Sequence, residues 1–347
     1  GADGQSGVGE AAPLPSYAGG PLDEANAALE VLARGLLGAP AGHAWDDSPP
    51  SLRGISPGAA AAARCGIETA TADLLARSAG ISFATWLGVR SGLRPSRYGV
   101  TKVPLNGTID ACSVEAAITA ASAFVAAGFR TLKMKVGVDS AADLERVRAV
   151  REAIGPKIAL RIDANGAWTF DDAARLLPLY AEFGVELCEQ PIPHRVPGAL
   201  QQMAALRRLS PVRIAADESC RSESELAAII AANAADAIVV KPMVAGLRES
   251  IAMLARAERA GTPVIVTTLF ESGVGVAMTA HLAALVGSRA AACGLATLGH
   301  LEASLITEPP RIEHGWLHVS PGPGLGVTID EGVLAAYAAG PLRELSL

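Results

Sequence analysis

The segment Thr131-Leu-Lys-Met-Lys-Val136 is a short apolar run with β-branched ends and two interior lysines. Such a run predicts a buried β-strand, and Lys133 and Lys135, being two residues apart, share one of its faces. Seven comparable runs are separated by longer stretches with helical periodicity. The eight predicted strands are Val103–Ile109, Thr131–Val136, Ala159–Ala164, Val185–Gln190, Val212–Asp217, Ala237–Lys241, Pro263–Thr268 and Cys293–Ala296.

The alternation of strands and helices predicts a parallel α/β sheet with crossover helices. In Ala141–Ile154, for example, the apolar residues fall on one face, as expected of a helix that covers the outside of a barrel. A doubly wound open sheet would share this alternation. Eight regular units in roughly 200 residues favour a closed (β/α) barrel.

Charged residues interrupt the apolar strands at regular intervals of 24 to 28 residues. They are Lys135, Asp163, Glu189, Asp217 and Lys241. Each interval is about one βα unit, so the charges recur at the carboxyl ends of successive strands, where barrel enzymes build their active sites.

Three of these residues are carboxylates, whose mutual repulsion must be relieved by protonation or by a cation. Asp163, Glu189 and Asp217 offer only oxygen ligands, which suits Mg²⁺, with Mn²⁺ as a substitute. The lysines of the second and sixth predicted strands flank this site, and a lysine beside a metal and a second ammonium is suited to act as a general base.

Other residues near the strand ends are weaker candidates. Asn165 lies two residues beyond Asp163 and faces the predicted site, so it is a candidate substrate contact. Glu271 and Ser272 follow the seventh predicted strand in a glycine-containing loop and are further candidate substrate contacts. Glu218 follows Asp217 directly and is expected to face the other way, so that supporting a ligand or capping a helix is as consistent with its position as ligation.

The composition excludes several classes of protein. The chain has 347 residues and a net charge of −6 without a basic stripe, so nucleic acid is not an expected partner. Its alanine-rich runs are broken by charges, so no membrane span is expected. The five cysteines are far apart, which predicts reduced thiols and a cytoplasmic location, or an organellar one for a fused eukaryotic chain.

The first hundred residues differ from the rest and predict two helices, Leu22–Leu37 and Pro57–Leu87. The chain opens without a Met on a segment that resembles a turn inside a domain, so we expect a capping domain that lacks its N-terminal strands. The predicted domains are 1–100 (cap), 101–313 (barrel) and 314–347, a segment that returns to the cap. His314–Ile329 predicts a strand followed by a turn-rich loop.

At the strand ends the sequence resembles the enolase superfamily, in particular its muconate-lactonizing subgroup. The matching motifs agree in identity, order and spacing over about 200 residues. They are Lys133-Met-Lys135, Asp163-Ala-Asn165, Glu189-Gln-Pro191, Asp217-Glu-Ser219, Lys241-Pro-Met243 and Glu271-Ser-Gly273.

The resemblance implies a modified (β/α)7β TIM barrel with an α+β capping domain and Mg²⁺ bound by the three carboxylates. It also implies that Lys135 removes a proton α to a substrate carboxylate, that Lys133 makes Lys135 a better base, and that Lys241 lies on the opposite face. The metal then holds the enediolate, whose developing charge is stabilised electrostatically.

The segments Phe270–Gly275 and Cys293–Thr297 resemble the o-succinylbenzoate synthase family most. This implies a lyase that removes water from a cyclohexadiene carboxylate on the menaquinone or phylloquinone route. Lys135 would take the α-proton and return it to the departing hydroxyl, while Lys241 stabilises the enediolate as a cation over the ring.

Two alternatives stay open. An N-acylamino-acid racemase or dipeptide epimerase would use the same two lysines, although dipeptide epimerases usually carry an Asp-x-Asp at the eighth strand and Cys293–Thr297 has no acid. A non-catalytic homologue is the second alternative. The expected partner is a small carboxylate substrate, and a homo-oligomer or a longer multifunctional chain both stay open.

Overall fold

The computed structural model describes residues 6–17, 19–40, 42, 45, 50–95, 101–110, 112–286 and 291–345. Residues 1–5, which begin the predicted truncated segment, lie outside this part of the chain, as does the predicted domain boundary at residue 100.

The core of the molecule is a sheet of seven parallel strands that follow one another in chain order. Their side chains are almost all buried, as expected of parallel strands covered on both faces. The strands are β2 (Asn106–Ile109), β3 (Thr131–Lys135), β4 (Ala159–Asp163), β5 (Val185–Glu189), β6 (Arg213–Ala216), β7 (Ala237–Val240) and β8 (Val264–Val266). This arrangement confirms the predicted barrel-like α/β fold.

The eighth predicted strand, Cys293–Ala296, is wrong as a continuous strand. Only Cys293 and Gly294 pair, in isolated parallel bridges to Leu105 and Thr267. Backbone hydrogen bonds nevertheless connect this segment to both edges of the sheet, since Gly294 N donates to Val266 O and Asn106 N donates to Cys293 O. The (β/α)7β pattern therefore has its last position filled by two residues.

The crossover helices cover the outside of the sheet. Several begin at a Ser, Thr or Asp whose side chain accepts a hydrogen bond from the first turn, which fixes where the helix starts. Within the barrel region they are α4 (Val114–Ala126), α5 (Ser140–Ile154), α6 (Phe170–Glu182), α7 (Ala199–Leu209), α8 (Glu223–Ala232), α9 (Pro242–Ala245), α10 (Leu247–Ala260) and α11 (Gly273–Ala283).

Among the described residues before the sheet, the long α-helices are α1 (Leu22–Leu36), α2 (Pro57–Ser78) and α3 (Phe83–Ser91). The predicted single helix Pro57–Leu87 is wrong in its extent, because Gly80 adopts a φ of 66° and Ser82 then caps a new helix by accepting from Thr85 N. Most of α2 is buried, and many of its buried residues are alanines, whose small side chains let neighbouring elements approach the helix closely.

A second sheet of three antiparallel strands has the order β1-β10-β9, with β1 (Lys102–Pro104), β9 (Ile312–Glu313) and β10 (Trp316–His318). The predicted strand Val103–Ile109 is therefore two strands that belong to different sheets. The chain changes sheets at Leu105, whose N–H donates to Gly315 O.

The C-terminal segment packs on α2. Asp73, which is fully buried in that helix, accepts from Leu325 N, and the guanidinium of Arg77 donates to Val327 O. The last helix is α12 (Glu331–Tyr337). These contacts are those expected of a segment that returns to the cap, while the domain limits themselves stay a prediction.

Across the described part of the chain, every helix is too short or too polar to span a lipid bilayer.

Candidate active site at the carboxyl ends of the strands

Three buried carboxylates stand at the ends of adjacent strands. Asp163 and Glu189 are the last residues of β4 and β5 and are paired in register, and Asp217 directly follows β6. Their exposed fractions are 1%, 2% and 3%. Parallel strands in register bring their carboxyl ends to one edge, which is why residues 26 and 28 positions apart come together.

The two lysines of β3 point into this carboxylate group. Lys133 Nζ donates to Asp163 Oδ2 at 3.0 Å and to Glu189 Oε1 at 2.9 Å. Lys135 Nζ donates to Asp163 Oδ2 at 2.8 Å and to Asn165 Oδ1 at 2.6 Å. Asp163 therefore accepts from two ammonium groups on a single oxygen.

The site is strongly coupled electrostatically. Burial opposes the charged form of Asp163, but Lys133 and Lys135 outweigh it and lower the pKa of this carboxyl. Burial would lower the pKa of Lys133, yet Asp163 and Glu189 outweigh it and raise that pKa. Burial together with the Asp163 charge raises the pKa of Glu189 to about 8. The ammonium groups alone thus do not keep all the carboxylates ionised at neutral pH.

Lys241 lies on the other side of the site. It directly follows β7 as the N-cap of α9, is 9% exposed, and donates to Asp217 Oδ2 at 2.6 Å. Strands β3 and β7 are four positions apart in the sheet order. Because four positions are half of an eight-fold barrel, Lys135 and Lys241 approach the site from opposite sides.

Two polar residues with left-handed backbone conformation shape the strand ends. Asn165 (φ 45°) bridges Lys135 and Glu218, since its Nδ2 donates to Glu218 Oε1 at 3.1 Å. Gln190 (φ 37°) accepts from Asp217 N and Ser219 N with its side-chain oxygen. Gln190 therefore fixes the loop that carries Asp217.

The expected orientation of Glu218 is wrong. The strand ends at Ala216, so the alternation of side-chain faces no longer applies to Glu218. Its carboxylate accepts a hydrogen bond from the Asn165 side-chain amide at the site. Burial and the Asp217 charge raise its pKa.

Glu271 and Ser272 lie at the start of α11, and their substrate contact stays a prediction. The Ser272 hydroxyl is already engaged, because it donates to Glu10 Oε2 at 2.7 Å while Ser272 N donates to Glu10 Oε1 at 2.8 Å. Burial, together with the Glu10 charge, raises the pKa of the fully buried Glu271 to about 8.

Two residues of the first segment were not predicted from the sequence. Glu10 binds the N-terminus of α11, and Tyr17 places its ring 3.7 Å from Lys241 Nζ. Gly7-Val-Gly-Glu10 was a signal for close packing, since a Cβ on Gly7 or Gly9 would lie 2.1 or 2.0 Å from a backbone oxygen of α2. No spacing in the sequence links Tyr17 to Lys241.

The donor chemistry fits Mg²⁺, because three buried carboxylates stand at the ends of adjacent strands and a bound cation would oppose the raised pKa of Glu189. Among the described residues no three metal-binding side chains form a ready cluster. In this arrangement the ammonium groups of Lys133 and Lys241 contact the carboxylates directly. Asp163, Glu189 and Asp217 are the residues that would hold the ion.

Lysines and carboxylates lie together at the carboxyl ends of the barrel strands. This arrangement is typical of barrel proteins that use acid–base and metal-assisted chemistry. Residues 115–333 match the family model described as "Enolase C-terminal domain-like". The chain belongs to this family and thus to the enolase superfamily, which confirms the resemblance of the motifs.

Two curated relatives show the range of activities. The chain is 40% identical over 221 residues to an o-succinylbenzoate synthase of Thermobifida fusca, covering 62% of this chain and 66%, just under two thirds, of that relative. It is 34% identical over 290 residues to an aromatic dipeptide epimerase of Herpetosiphon aurantiacus, covering 82% and 76%.

Solved structures share the fold over nearly the whole chain. A 2-chloromuconate cycloisomerase from Rhodococcus opacus 1CP has a TM-score of 0.84 at 29% identity, covering 97% of this chain and 91% of that one. A dipeptide epimerase from Cytophaga hutchinsonii complexed with Mg and the dipeptide D-Ala-L-Val has a TM-score of 0.84 at 26% identity, covering 96% and 88%.

Proposed function

We propose that this protein is a lyase similar to o-succinylbenzoate synthase, in which Lys135 removes the proton α to a substrate carboxylate and a water molecule then leaves. The observation that carries the proposal is the position of the Lys135 ammonium. It is held between Asp163 and Asn165, and 40% of its side chain is exposed, so it is both oriented and accessible.

The proposed reaction needs one residue to move a proton twice. Lys135, as the free amine, takes the α-proton, and the electron pair of that C–H bond moves toward the substrate carboxylate. As the C–O bond to the leaving hydroxyl breaks, the Lys135 ammonium returns the proton and water departs. Lys241, on the other side, stays an ammonium and stabilises the negative charge that develops.

The three carboxylates have a separate role. Bound Mg²⁺ would supply positive charge beside the substrate carboxylate, where negative charge develops. Asp163, Glu189 and Asp217 would hold it, and Gln190 would keep Asp217 in place through its two backbone hydrogen bonds.

A second candidate function is supported by the lysines on opposite sides. If Lys241 can also act as a base, the site can remove and return the α-proton on either face, as a racemase or epimerase of N-acylamino acids or dipeptides requires. The absence of an acid in Cys293–Thr297 weighs against a dipeptide with a free ammonium, although one relative is a dipeptide epimerase.

One assay separates the two candidates. The protein is incubated with Mg²⁺ and the cyclohexadiene carboxylate precursor, and separately with both enantiomers of an N-succinyl amino acid in D₂O. Aromatisation of the precursor supports the lyase. Exchange with racemisation, without aromatisation, supports the isomerase instead. Inactivity in both arms, by protein whose fold and Mg²⁺ binding are verified, would overturn both proposals and favour a non-catalytic homologue.

A further inference from the structure

The first described segment, residues 6–17, runs from its contact with α2 to Lys241 and is hydrogen-bonded to the rest of the protein at several points. Val8 N donates to Asp73 Oδ2 of α2, and Ala12 N approaches Met243 Sδ at 3.2 Å. Glu10, between them, binds the N-terminus of α11. The segment ends in a 3-10 helix, Pro15–Tyr17, which the Leu14 carbonyl closes by accepting from Tyr17 N and Gly19 N.

This attachment places one aromatic ring against one lysine. The Lys241 ammonium lies 3.7 Å from the centroid of the Tyr17 ring, well inside the range of about 6 Å over which a ring face attracts a cation. Asp217 holds the same ammonium from another direction at 2.6 Å. Lys241 is thus fixed between a carboxylate of the barrel and a ring supplied by the N-terminal segment.

The lysine on the opposite side has a different environment. Lys135 is held by Asp163 and Asn165, both of which come from β4 and the loop after it, and its side chain is 40% exposed against 8% for Lys241. We therefore expect a change at Tyr17 to affect the Lys241 side of the site more than the Lys135 side.

We propose that Tyr17 is a positioning residue for Lys241: the face of its ring holds the ammonium where it meets the substrate, so that the N-terminal segment determines the competence of one face of the site. This inference rests on the proposed proton chemistry for its catalytic consequence, but the ring contact itself is independent of it. Because the face of the ring makes the contact with the ammonium, while the buried hydroxyl lies near Asp217, we expect phenylalanine to retain this contact.

The catalytic test compares Tyr17→Leu with Tyr17→Phe in D₂O with Mg²⁺. The Lys241→Ala variant first identifies the enantiomer of an N-succinyl amino acid whose α-deuterium exchange depends on Lys241. For that enantiomer we expect Tyr17→Leu to lower the exchange rate roughly tenfold, as loss of a partly buried cation–π contact implies. Exchange of the other enantiomer should stay within about twofold of wild type, and Tyr17→Phe should behave as wild type.

A second measurement does not depend on activity. Lysines of the metal-free protein are acetylated briefly, and the modification of Lys241 is measured by peptide mass spectrometry relative to the exposed Lys157. Removing the ring in Tyr17→Leu should raise the relative reactivity of Lys241 roughly fivefold or more, whereas Tyr17→Phe should leave it unchanged.

The two measurements distinguish the possible failures. Unchanged Lys241 reactivity in Tyr17→Leu, an equal loss of exchange for both enantiomers, or an equal effect of Tyr17→Phe and Tyr17→Leu would each overturn the positioning role. If wild-type protein exchanges neither enantiomer and does not aromatise the cyclohexadiene precursor, while the reactivity pattern is as expected, the proposed function fails and the ring contact stands. Thermal denaturation of each variant verifies that the fold is retained.

Discussion

The two sides of the candidate site are built in different ways. On the β3 side, Lys133 and Lys135 contact carboxylates of the next two strands. Lys135 is in register with Asp163, and Asp163 is in register with Glu189. On the β7 side, Lys241 meets Asp217 of the preceding strand end and a ring from the first segment of the chain.

Local topology alone determines only one of these two sides. Contacts between neighbouring parallel strands follow from chain order and strand spacing, so the β3 side is fixed once the barrel forms. The β7 side also depends on packing between distant parts of the chain. We therefore expect changes on the β3 side to act on chemistry and stability directly, and changes at Tyr17 to act mainly on Lys241.

The largest expected effect is that of Lys135→Ala. Without the base, turnover should fall by roughly 10³-fold or more, because general-base catalysis commonly contributes about 10² to 10⁴. Steady-state rates with the substrate identified by the assay above measure this, and Mg²⁺ binding by titration calorimetry should be retained.

Lys157→Ala removes an exposed lysine from the same chain and is the matched control, with turnover expected to be unchanged. Activity retained by Lys135→Ala would exclude the proposed role of Lys135 and leave the two sides of the site without the assigned difference.

The next effect concerns stability. Asp163→Asn removes the negative charge that the buried Lys133 and the half-exposed Lys135 both contact, and we expect a loss of roughly 3 kcal/mol in the free energy of unfolding at pH 7. Urea denaturation in EDTA measures it. Glu152→Gln, which breaks an exposed pair with Arg148, should change it by less than about 0.5 kcal/mol.

The same substitution has a pH signature. The pKa of Asp163 is lowered in the folded protein, so its charge stabilises the fold above the ordinary carboxyl pKa of about 4, and this contribution is lost as the pH falls through the lower folded pKa. Asp163→Asn should therefore lose less stability than wild type below about pH 4. Equal acid slopes for both proteins would contradict the strong pairing of this carboxylate.

The smallest of the three effects is the pH dependence of Mg²⁺ binding. Since the pKa of Glu189 is raised to about 8 by burial and Asp163, metal binding must displace a proton below that pH. Affinity should rise up to about tenfold per pH unit toward pH 8, while the metal-free fold loses stability as the pH rises from about 4.5 to about 8.

Calorimetry in buffers of different ionisation enthalpy measures this directly. Close to one proton should be released per Mg²⁺ at pH 6.5 and almost none at pH 9, by the same linkage. Release of no proton at pH 6.5 would show that the carboxylates are already ionised, and that the lysines of the β3 side compensate them fully.

Several features could be read from the sequence because they depend on local periodicity and chain order. The seven parallel strands, the recurrence of Lys135, Asp163 and Glu189 at strand ends and the donor set for a hard cation are of this kind. Parallel strands joined by helices of similar length bring their carboxyl ends to one face whatever the details of packing.

Other features were decided by the tertiary structure. The chain after the break at Gly80 pairs with the distant Gly324, and the change of sheet occurs where Leu105 N donates to Gly315 O. The short pairing of Cys293 and Gly294 depends on the gap that the other strands leave. Glu218 faces the site because its strand ends early, and Tyr17 reaches Lys241 because Glu10 and Ala12 hold the first segment on the barrel. Sequence spacing fixes contacts along and between neighbouring strands, whereas contacts between distant segments follow only from how the finished surfaces pack.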